Sequence, residues 1–509
     1  LSQVALEDWP VSDRVLASNP LLEAFGNAKT VRNNNSSRFG KYIELLFDVN
    51  AQIDSARIHT YLLERSRVVH INTPERNYHI FYQLLDGISD EEAEALKLIT
   101  DSGDRYGPED FFYTNQSECF EIAEDGFDAR SFGETRGAMQ ILGISENDQH
   151  QIFRILAAIL HIGNIEFVED DEHADRASKL SDEESRESAK SAASLLEVEE
   201  EQLLSALMTR KIQTVEGVLV KEMEADEAKE SRDALTKKIY SQIFEWLVRA
   251  VNSAIDTGVN DRRKKMGRSI GILDIYGFES FEQNSFEQLS INLANEKLQQ
   301  QFNFTVFKRE QEEYRKEKID WSDITFEDNQ IVLDLIEKQP GGLLSIIDDQ
   351  CRLPQASHHT LYEEFSQRLS KGKNKHPRFE LAKRDPTGFV VNHYAGPVAY
   401  RTQLLLEKNK DYAIQEHIAL IEGSTHAFLK KVFLGPKDVS NATSTTRKAR
   451  ARSNSVQDLS ATSAKAQSGM KLTSVAMTFK EELSNLMMDL NRAHPHYIRC
   501  IKPNAEQVC

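Results

Sequence analysis

Two short segments, far apart in the chain, combine the residue types that bind phosphate groups and metal ions. The first runs from Asn33 to Lys41 with the sequence NNNSSRFGK, and the second runs from Asp274 to Glu279 with the sequence DIYGFE. Serine and asparagine side chains bind phosphate oxygens and Mg²⁺, and an aspartate holds a metal-bound water. A glycine lets its backbone N–H approach a phosphate closely. Together the segments favour a pair of loops that sense the terminal phosphate of a nucleotide.

Each segment also carries one strongly charged residue, Arg38 in the first and Glu279 in the second. Their opposite charges suit a latch that holds the two loops together. Either segment alone is weak support, because Asn/Ser-rich runs before strands and Asp-x-x-Gly after strands are common in tight turns. The assignment therefore depends on finding both segments within a wider pattern.

The residues next to both segments predict β-strands. After the first segment, apolar residues alternate at Ile43, Leu45, Phe47 and Val49, which is typical of a half-buried strand. Before the second, residues 269–275 form a nearly continuous apolar run, which predicts a central strand buried on both faces. Strand ends of open α/β sheets are where phosphate-binding loops lie. The fold class is therefore α/β.

Between and after the segments the chain is predicted to be mostly helical. Residues 145–160 begin with Ser-x-x-Asp, a capping-box variant, and Gly163 supplies a stop. Apolar residues spaced from Leu235 to Ala250 indicate a second amphipathic helix that packs in the core. Residues 284–313 contain no Gly or Pro, so they predict an unusually long helix.

Composition limits the class of protein. The chain has 509 residues, 40% of them hydrophobic and 28% charged, which is typical of a soluble protein with several subdomains. No run of about 18 apolar residues occurs, so no membrane span is expected. The net charge of −19 argues against a nucleic-acid binder, because polyanions would be repelled. The four cysteines lack metal-ligand spacing and predict free thiols in a reducing cytosol.

One segment has a positive net charge, opposite in sign to the net charge of the whole chain. Residues 435–471 hold seven Lys or Arg against two Asp and are rich in Ser, Thr and Ala. This composition predicts a disordered surface loop, and a basic loop on an acidic body suits docking to another acidic surface. Ser453 and Ser455 follow arginines at a spacing that basic-directed kinases use, but a solvated linker is the favoured interpretation.

Six further blocks accompany the two segments in a fixed order: residues 19–30, 61–68, 76–83, 393–396, 406–411 and 496–504. In this order the whole set resembles the motor domain of myosins, with the two segments as its switch loops. The resemblance implies a P-loop NTPase-like motor core with a central mixed sheet and many helical insertions, split into upper and lower actin-binding subdomains.

The resemblance also divides the chain into five parts. Residues 1–283 would form the upper motor subdomain with both switch loops, and residues 284–325 the relay helix and its loop. Residues 326–434 would form the lower actin-binding subdomain, and residues 435–471 the disordered basic surface loop. Residues 472–509 would form a helix and a strand of the central sheet, leading toward the converter.

The Gly-rich phosphate loop G-x-x-x-x-G-K-[ST] of nucleotide motors does not occur in this sequence. The resemblance implies that Leu1 falls just downstream of that loop, and that the chain stops before the converter and the light-chain-binding lever. This chain alone is therefore expected not to hydrolyse ATP, although the full protein is expected to be an actin-activated ATPase.

By resemblance, the cofactors are ATP and Mg²⁺. Ser37 would ligate Mg²⁺, and Asp274 would bind it through water. The nucleotide-binding residues would be Asn27, Asn33, Ser36, Ser37 and Gly277.

The catalytic residues implied are Arg38, Glu279, Ser36 and Gly277. Arg38 and Glu279 would pair to close the site, with Glu279 orienting the attacking water. Ser36 would bond the phosphates and this water, and the Gly277 N–H would touch the γ-phosphate. Tyr276 is assigned no role.

Filamentous actin is the implied partner, with light chains or calmodulin on the lever, and the expected location is the cytoplasm and its cytoskeleton. The implied actin-binding residues are Arg447, Lys448, Arg450 and Arg452 of the basic loop, and Glu216 of a loop that follows Thr209-Arg-Lys. Glu216 lies one residue upstream of the usual spacing, which points to Gly217.

Two other functions stay open at this stage. A kinesin would have similar switch segments, but Phe39-Gly-Lys and Ile-Tyr-Gly-Phe-Glu favour myosin. A non-enzymatic actin-binding protein derived from a myosin head would also fit the basic loop. The complete set of switch residues argues against such decay, and the length of the native protein would discriminate.

Overall fold

The computed structural model describes residues 9–31, 33–61, 63–100, 102–122, 126–170, 177–214, 217–256, 268–320, 322, 328–353, 356–372, 375–382, 385, 387–403, 405–409, 415–433 and 474–498. The basic loop at 435–471 and the cysteines at positions 500 and 509 lie outside these residues.

Helices dominate the described chain, and the strands are short. Helices α1 to α17 run over Val11–Gly26, His79–Gly87, Asp90–Ala95, Phe112–Asn115, Phe127–Ile141, Glu146–Gly163, Glu183–Leu196, Glu200–Met208, Ala225–Ile255, Phe286–Asn303, Glu310–Glu317, Gln330–Glu337, Leu343–Cys351, His358–Phe365, Leu405–Asn409, Gln415–Gly423 and Val475–Arg492. Strands β1 to β12 run over Asn27–Thr30, Asn33–Ser37, Gly40–Phe47, Ile53–Tyr61, Phe167–Glu169, Ser178–Leu180, Thr209–Thr214, Gly217–Glu222, Arg268–Asp274, Phe379–Leu381, Gly388–His393 and Gly396–Arg401.

The chain divides into two compact units. The first unit comprises Leu1–Tyr276 and Tyr412–Lys471, and the second comprises Gly277–Asp411 and Leu472–Cys509. The division falls inside the second switch segment, between Tyr276 and Gly277. Helix α16, which the sequence grouped with residues 326–434, packs on helix α8 of the first unit.

Helix α9 organises the first unit. It contacts β4 and helices α1, α6 and α8, and the predicted apolar stripe is buried at Leu235, Ile239, Ile243 and Leu247, each 0% exposed. The Tyr240 hydroxyl donates to the Phe25 carbonyl at 2.8 Å. The predicted amphipathic helix is thereby confirmed, and it fixes the end of α1 where the chain enters β1.

Helix α6 confirms the predicted start and stop. The Ser145 side chain accepts a hydrogen bond from the Asp148 N–H at 3.1 Å, so it caps the first turn. The helix ends at Gly163, where a Cβ would collide with the Tyr113 ring. Gly163 is therefore the last helical residue, and its lack of a Cβ allows close packing of α6 against α4.

In the first unit, the sheet that adjoins the switch segments has the strand order β4-β3-β9. Both pairings are antiparallel. Strand β3 confirms the predicted strand, and Ile43, Leu45 and Phe47 are partly buried, but residues 43–47 are all partly buried, so burial does not alternate along them. It ends before Val49, which is 86% exposed. The sheets in the described residues have at most three strands, so a larger central mixed sheet stays a prediction.

The prediction that residues 269–275 form a strand buried on both faces is wrong. Strand β9 is a strand, but the Ile270 and Ile272 side chains are 55% and 50% exposed. Within the described residues β9 pairs with β3 alone and lies at the edge of the sheet, so its faces are not enclosed. An apolar run indicates that a strand prefers burial. It does not indicate whether neighbouring segments are present to bury it.

The second unit confirms the predicted long helix. Residues 286–317 are helical throughout, as α10, a π-helical turn at Phe304–Arg309 and α11. Its first half is buried at Phe286, Leu289 and Leu293, and it contacts α12, α15 and α17. Strands β10 to β12 form an antiparallel sheet whose aromatic side chains stack, Phe379 on Phe389 and Phe389 on Tyr400.

Every helix within the described ranges is too short or too polar to cross a lipid bilayer.

The Ser145 cap gives a test of the packing of α6. We expect Ser145→Ala to lower the free energy of unfolding by about 1 kcal/mol, because an N–H of the first turn loses its acceptor. Ser194→Ala, at an exposed position inside α7, is the matched control and should be neutral or slightly stabilising, because alanine has the higher helix propensity. Urea unfolding of both variants checks this, and equal effects would contradict it.

Candidate functional site

The two switch segments meet through the pairing of β3 with β9. In this register Lys41, the last residue of the first segment, lies opposite Asp274, the first residue of the second. The Lys41 Nζ lies 3.8 Å from the Asp274 carboxylate, which is 61% exposed. At Gly40 a Cβ would lie 2.9 Å from the Ile275 side chain, so glycine permits this close approach. Segments 233 residues apart in sequence are thus held side by side.

Arg38 is anchored at both its backbone and its side chain. Its N–H donates to the Gly26 carbonyl at 2.7 Å, and its carbonyl accepts from the Glu64 N–H at 3.0 Å. The guanidinium is buried and pairs with the Glu64 carboxylate at 2.8 Å. It also lies over the Tyr276 ring, 5.6 Å from its centroid, which is a cation–π contact that the sequence did not predict.

Glu64 is the centre of a buried charge cluster that we call the Glu64 cluster, consisting of Arg38, Glu64, Arg67 and Glu75. Arg67 Nε donates to Glu64 at 2.6 Å, and its NH2 group contacts Glu75 at 2.8 Å. Burial raises the pKa of Glu64, but the positive charges of Arg38 and Arg67 outweigh it and lower this pKa from 4.5 to about 2. Glu64 is therefore a carboxylate at neutral pH.

The hairpin of β1 and β2 positions the small polar residues of the first segment. Asn27 lies opposite Ser37, and Ala28 opposite Ser36. The Ser36 hydroxyl is 2.7 Å from the Thr30 hydroxyl, and both serines are half-buried. Asn33 is exposed and its side chain accepts from the Asn35 N–H at 3.0 Å.

Asn35 is held in place by Asn27 and by two residues, His79 and Glu23, to which the sequence assigned no role. Its Oδ1 accepts from Asn27 Nδ2 at 2.9 Å and lies 3.1 Å from His79 Nε2, while its Nδ2 donates to Glu23 at 3.1 Å. Burial, with the nearby charges of Arg76 and Arg67, lowers the pKa of His79 to about 3, so the ring is neutral. No local pattern could have revealed His79, because it is 44 residues from Asn35.

In the second unit, Glu279 is held by helix α10. It is 8% exposed, and its backbone N–H and carbonyl bond the Asn292 side chain at 2.9 and 2.8 Å. Its carboxylate accepts from Gln288 Nε2 at 3.3 Å. Within the described residues no atom lies within 4 Å of a Cβ built on Gly277. Arg38 and Glu279 belong to different units, so their pairing stays a prediction.

The residues of the first unit fit Mg²⁺ and a phosphate chain. A serine hydroxyl and an aspartate carboxylate are hard oxygen ligands, and Mg²⁺ takes one or two such protein ligands while keeping several waters. The described residues contain no group of three His, Cys, Asp or Glu side chains that would form a closed protein cage for a metal. Asn27 Oδ1 is buried without a hydrogen-bond partner there, which leaves an acceptor for a ligand or a water.

Comparison with known proteins decides the family. The family model of the myosin head (motor domain) matches residues 2–509. The chain belongs to the myosin head family. Arabidopsis thaliana Myosin-15 is 46% identical over 499 residues, which is 98% of this chain and 30% of that protein. Zea mays Protein OPAQUE1 is 46% identical over 503 residues, which is 99% of this chain and 30% of that protein. This myosin head thus spans less than a third of the length of these relatives.

The residues of this myosin head that the sequence assigned to actin docking lie outside the described residues. These are Glu216 and the four basic-loop residues Arg447, Lys448, Arg450 and Arg452. The described residues on either side of Glu216 form strands β7 and β8, which pair antiparallel with Thr214 opposite Gly217. The Lys211 N–H donates to the Glu416 carboxylate, which connects β7 to α16.

The Glu64 cluster gives a pH-dependent test. At pH 7 we expect Glu64→Gln to lower the free energy of unfolding by about 3 kcal/mol, because the buried Arg38 guanidinium loses the Glu64 carboxylate and the buried Arg67 guanidinium keeps only Glu75. The folded pKa of Glu64 lies below its ordinary value, so its contribution is present above pH 4.5 and is lost as the pH falls toward 2.

The measurement is chemical unfolding of wild type and variant from pH 7 to pH 2. Glu183→Gln is the control, because that side chain is 75% exposed, and it should change stability by less than about 0.5 kcal/mol. A difference between wild type and Glu64→Gln that stays constant below pH 4.5 would contradict the assignment.

Proposed function

We propose that this protein is an actin-based motor that couples ATP hydrolysis to actin binding and force production. The observation that carries the proposal is the β3–β9 register, which sets Lys41 beside Asp274 and so joins two phosphate-sensing segments in a chain of the myosin head family. Relatives named as myosins match 98% of the chain, which supports the same conclusion. In this proposal the fold is a P-loop NTPase-like core with upper and lower actin-binding subdomains.

The substrate is ATP with Mg²⁺. When bound, Mg²⁺ neutralises charge on the phosphate oxygens, and Ser37 and Asp274 are the residues that would hold it. Asn33 and Ser36 would bond the phosphates, and the Ser36 hydroxyl is held by its contact with the Thr30 hydroxyl at 2.7 Å. Asn27, with its unpaired buried Oδ1, would bond the nucleotide or an ordered water. The Gly277 N–H would donate to the terminal phosphate.

Catalysis here is positioning and electrostatics. Arg38 is already fixed by its contacts with Gly26 and Glu64. It would therefore lose little conformational freedom when the site closes. Pairing of Arg38 with Glu279 would close the two segments over the phosphate and exclude water, which strengthens the charge interactions inside. Glu279 would orient the attacking water, and phosphate release would separate the pair again.

The partner in this proposal is filamentous actin. The basic cluster Arg447, Lys448, Arg450 and Arg452 would dock on the acidic filament surface, with Glu216 as a second contact. Light chains or calmodulin would be further partners, and the protein would act at the cytoskeleton in the cytoplasm. Without the Gly-rich phosphate loop, which is not in this sequence, the 509-residue chain would not hydrolyse ATP by itself.

Co-sedimentation of the protein from its native source with actin filaments, with and without ATP, tests the function. We expect a band well above 58.0 kDa that pellets with actin and is released by ATP. A band near 58.0 kDa that pellets regardless of ATP would indicate a non-enzymatic actin-binding protein. Failure to pellet at all would contradict the actin partner.

Charge reversal tests the proposed latch. We expect Arg38→Glu and Glu279→Arg each to lower ATP turnover of the native protein by about 100-fold or more, because each leaves a like-charged pair at the closing site. The double variant should recover only part of this loss, because Arg38→Glu also places a carboxylate against Glu64. Steady-state ATPase assays measure this. Wild-type turnover in either single variant would contradict the latch.

A further inference from the structure

Asn292 clamps the backbone of Glu279 with both ends of its amide group. Its Oδ1 accepts from the Glu279 N–H at 2.9 Å, and its Nδ2 donates to the Glu279 carbonyl at 2.8 Å. The Asn292 side chain is fully buried. This reciprocal pair matches the exchange of N–H and carbonyl bonds between antiparallel strands. Helix α10 therefore holds the backbone of Glu279 without using its carboxylate.

The clamp is the end of a longer series of hydrogen bonds. Asn292 Nδ2 also donates to the Tyr400 hydroxyl at 2.8 Å, and this oxygen lies 2.8 Å from His393 Nε2. His393 Nδ1 lies 3.0 Å from the Glu296 carboxylate. We call these four side chains the buried polar chain: Asn292, Tyr400, His393 and Glu296. Each belongs to a residue that is at most 3% exposed.

The carboxylate end is fixed by further donors. Glu296 accepts from the Tyr394 N–H at 2.9 Å and from Asn329 Nδ2 at 2.6 Å. It lies one helical turn after Asn292 on α10, so both side chains share one face of the helix. The buried polar chain thus joins α10 to the β11–β12 hairpin and to the residue before α12.

The donors and acceptors admit one consistent direction. Burial raises the pKa of Tyr400, so its hydroxyl keeps its proton. Because the Tyr400 oxygen accepts from Asn292, its O–H is free to donate to His393 Nε2. His393 then carries its proton on Nδ1 and donates it to Glu296. Every donor in the chain has an acceptor in this arrangement.

This direction selects the orientation of the Asn292 amide. With the Tyr400 O–H committed to His393, only the Nδ2 end of Asn292 can face Tyr400. A flipped amide would place an NH2 group against the Glu279 N–H, donor against donor. The Glu279 backbone and the Tyr400 hydroxyl therefore select the same orientation of the Asn292 amide, so the Tyr400 bond reinforces the clamp on Glu279.

We propose that the buried polar chain positions the Glu279 backbone, and with it the second switch segment, so that its members are positioning residues for the proposed reaction. The inference rests on the proposed function only in its catalytic consequence. The geometric part concerns the hold on the Glu279 N–H and can be tested without any turnover.

Tyr400→Phe is the test variant, because it removes one hydroxyl and keeps the ring. We expect the amide hydrogen of Glu279 to exchange about tenfold faster in the variant, the loss that one buried hydrogen bond accounts for. Hydrogen-exchange mass spectrometry of the native protein, on peptides covering residues 277–283, measures this. ATP turnover should fall by about tenfold through kcat with little change in KM, because Glu279 would act in the transition state.

Tyr113→Phe is the matched control. Tyr113 is equally buried and its hydroxyl donates to Asp233 at 2.7 Å, in the first unit. This variant should lose stability without changing Glu279 exchange or kcat.

Asn292→Asp is the second test variant, since it keeps the shape and the Oδ1 acceptor but replaces both Nδ2 donors. It should speed Glu279 exchange at least as much as Tyr400→Phe.

The outcomes distinguish the positioning of Glu279 by the buried polar chain from the proposed ATP hydrolysis. Unchanged Glu279 exchange in Tyr400→Phe and Asn292→Asp, with lowered stability, would show that the chain only packs the second unit and would overturn the inference. Faster exchange in a protein whose wild type does not hydrolyse ATP would support the positioning and overturn the proposed function. Faster exchange with unchanged kcat would overturn the catalytic part of the inference.

Discussion

The antiparallel pairing of β3 with β9 is the constraint on which the rest of the candidate site depends. It fixes Lys41 opposite Asp274, and it therefore fixes where each switch segment leaves the sheet. A shift by one residue would turn every side chain of β9 to the other face of the sheet and would move Asp274 away from its place opposite Lys41. Gly40 contributes by leaving room for Ile275, so the register and the close approach support each other.

Buried polar contacts then hold each switch segment in place. In the first unit, the Glu64 cluster offsets the cost of burying Arg38, because an unpaired guanidinium in the interior would be strongly unfavourable. In the second unit, the Asn292 amide does the same for the backbone at Glu279. The residues with a proposed catalytic role are thus held by residues without one. Such support keeps reactive groups in a fixed geometry.

Local patterns predicted the elements and the two switch segments, while long-range contacts decided their surroundings. Strand β3, the Ser145 cap and the uninterrupted helix from residue 286 to 317 all follow from neighbours in sequence. The exposure of β9 and the role of Glu64 do not, because they depend on which distant segments are adjacent. The family resemblance located the candidate residues, but it did not reveal the hydrogen bonds that hold them.

The most direct test of the central claim is amide hydrogen exchange of the native protein with and without Mg²⁺ and a non-hydrolysable ATP analogue. If β3 and β9 hold one phosphate-sensing site, peptides covering residues 33–41 and 268–279 gain protection together, at the same nucleotide concentration. Protection of one segment without the other, or of neither at saturating nucleotide, would contradict the claim that the two segments form a single site.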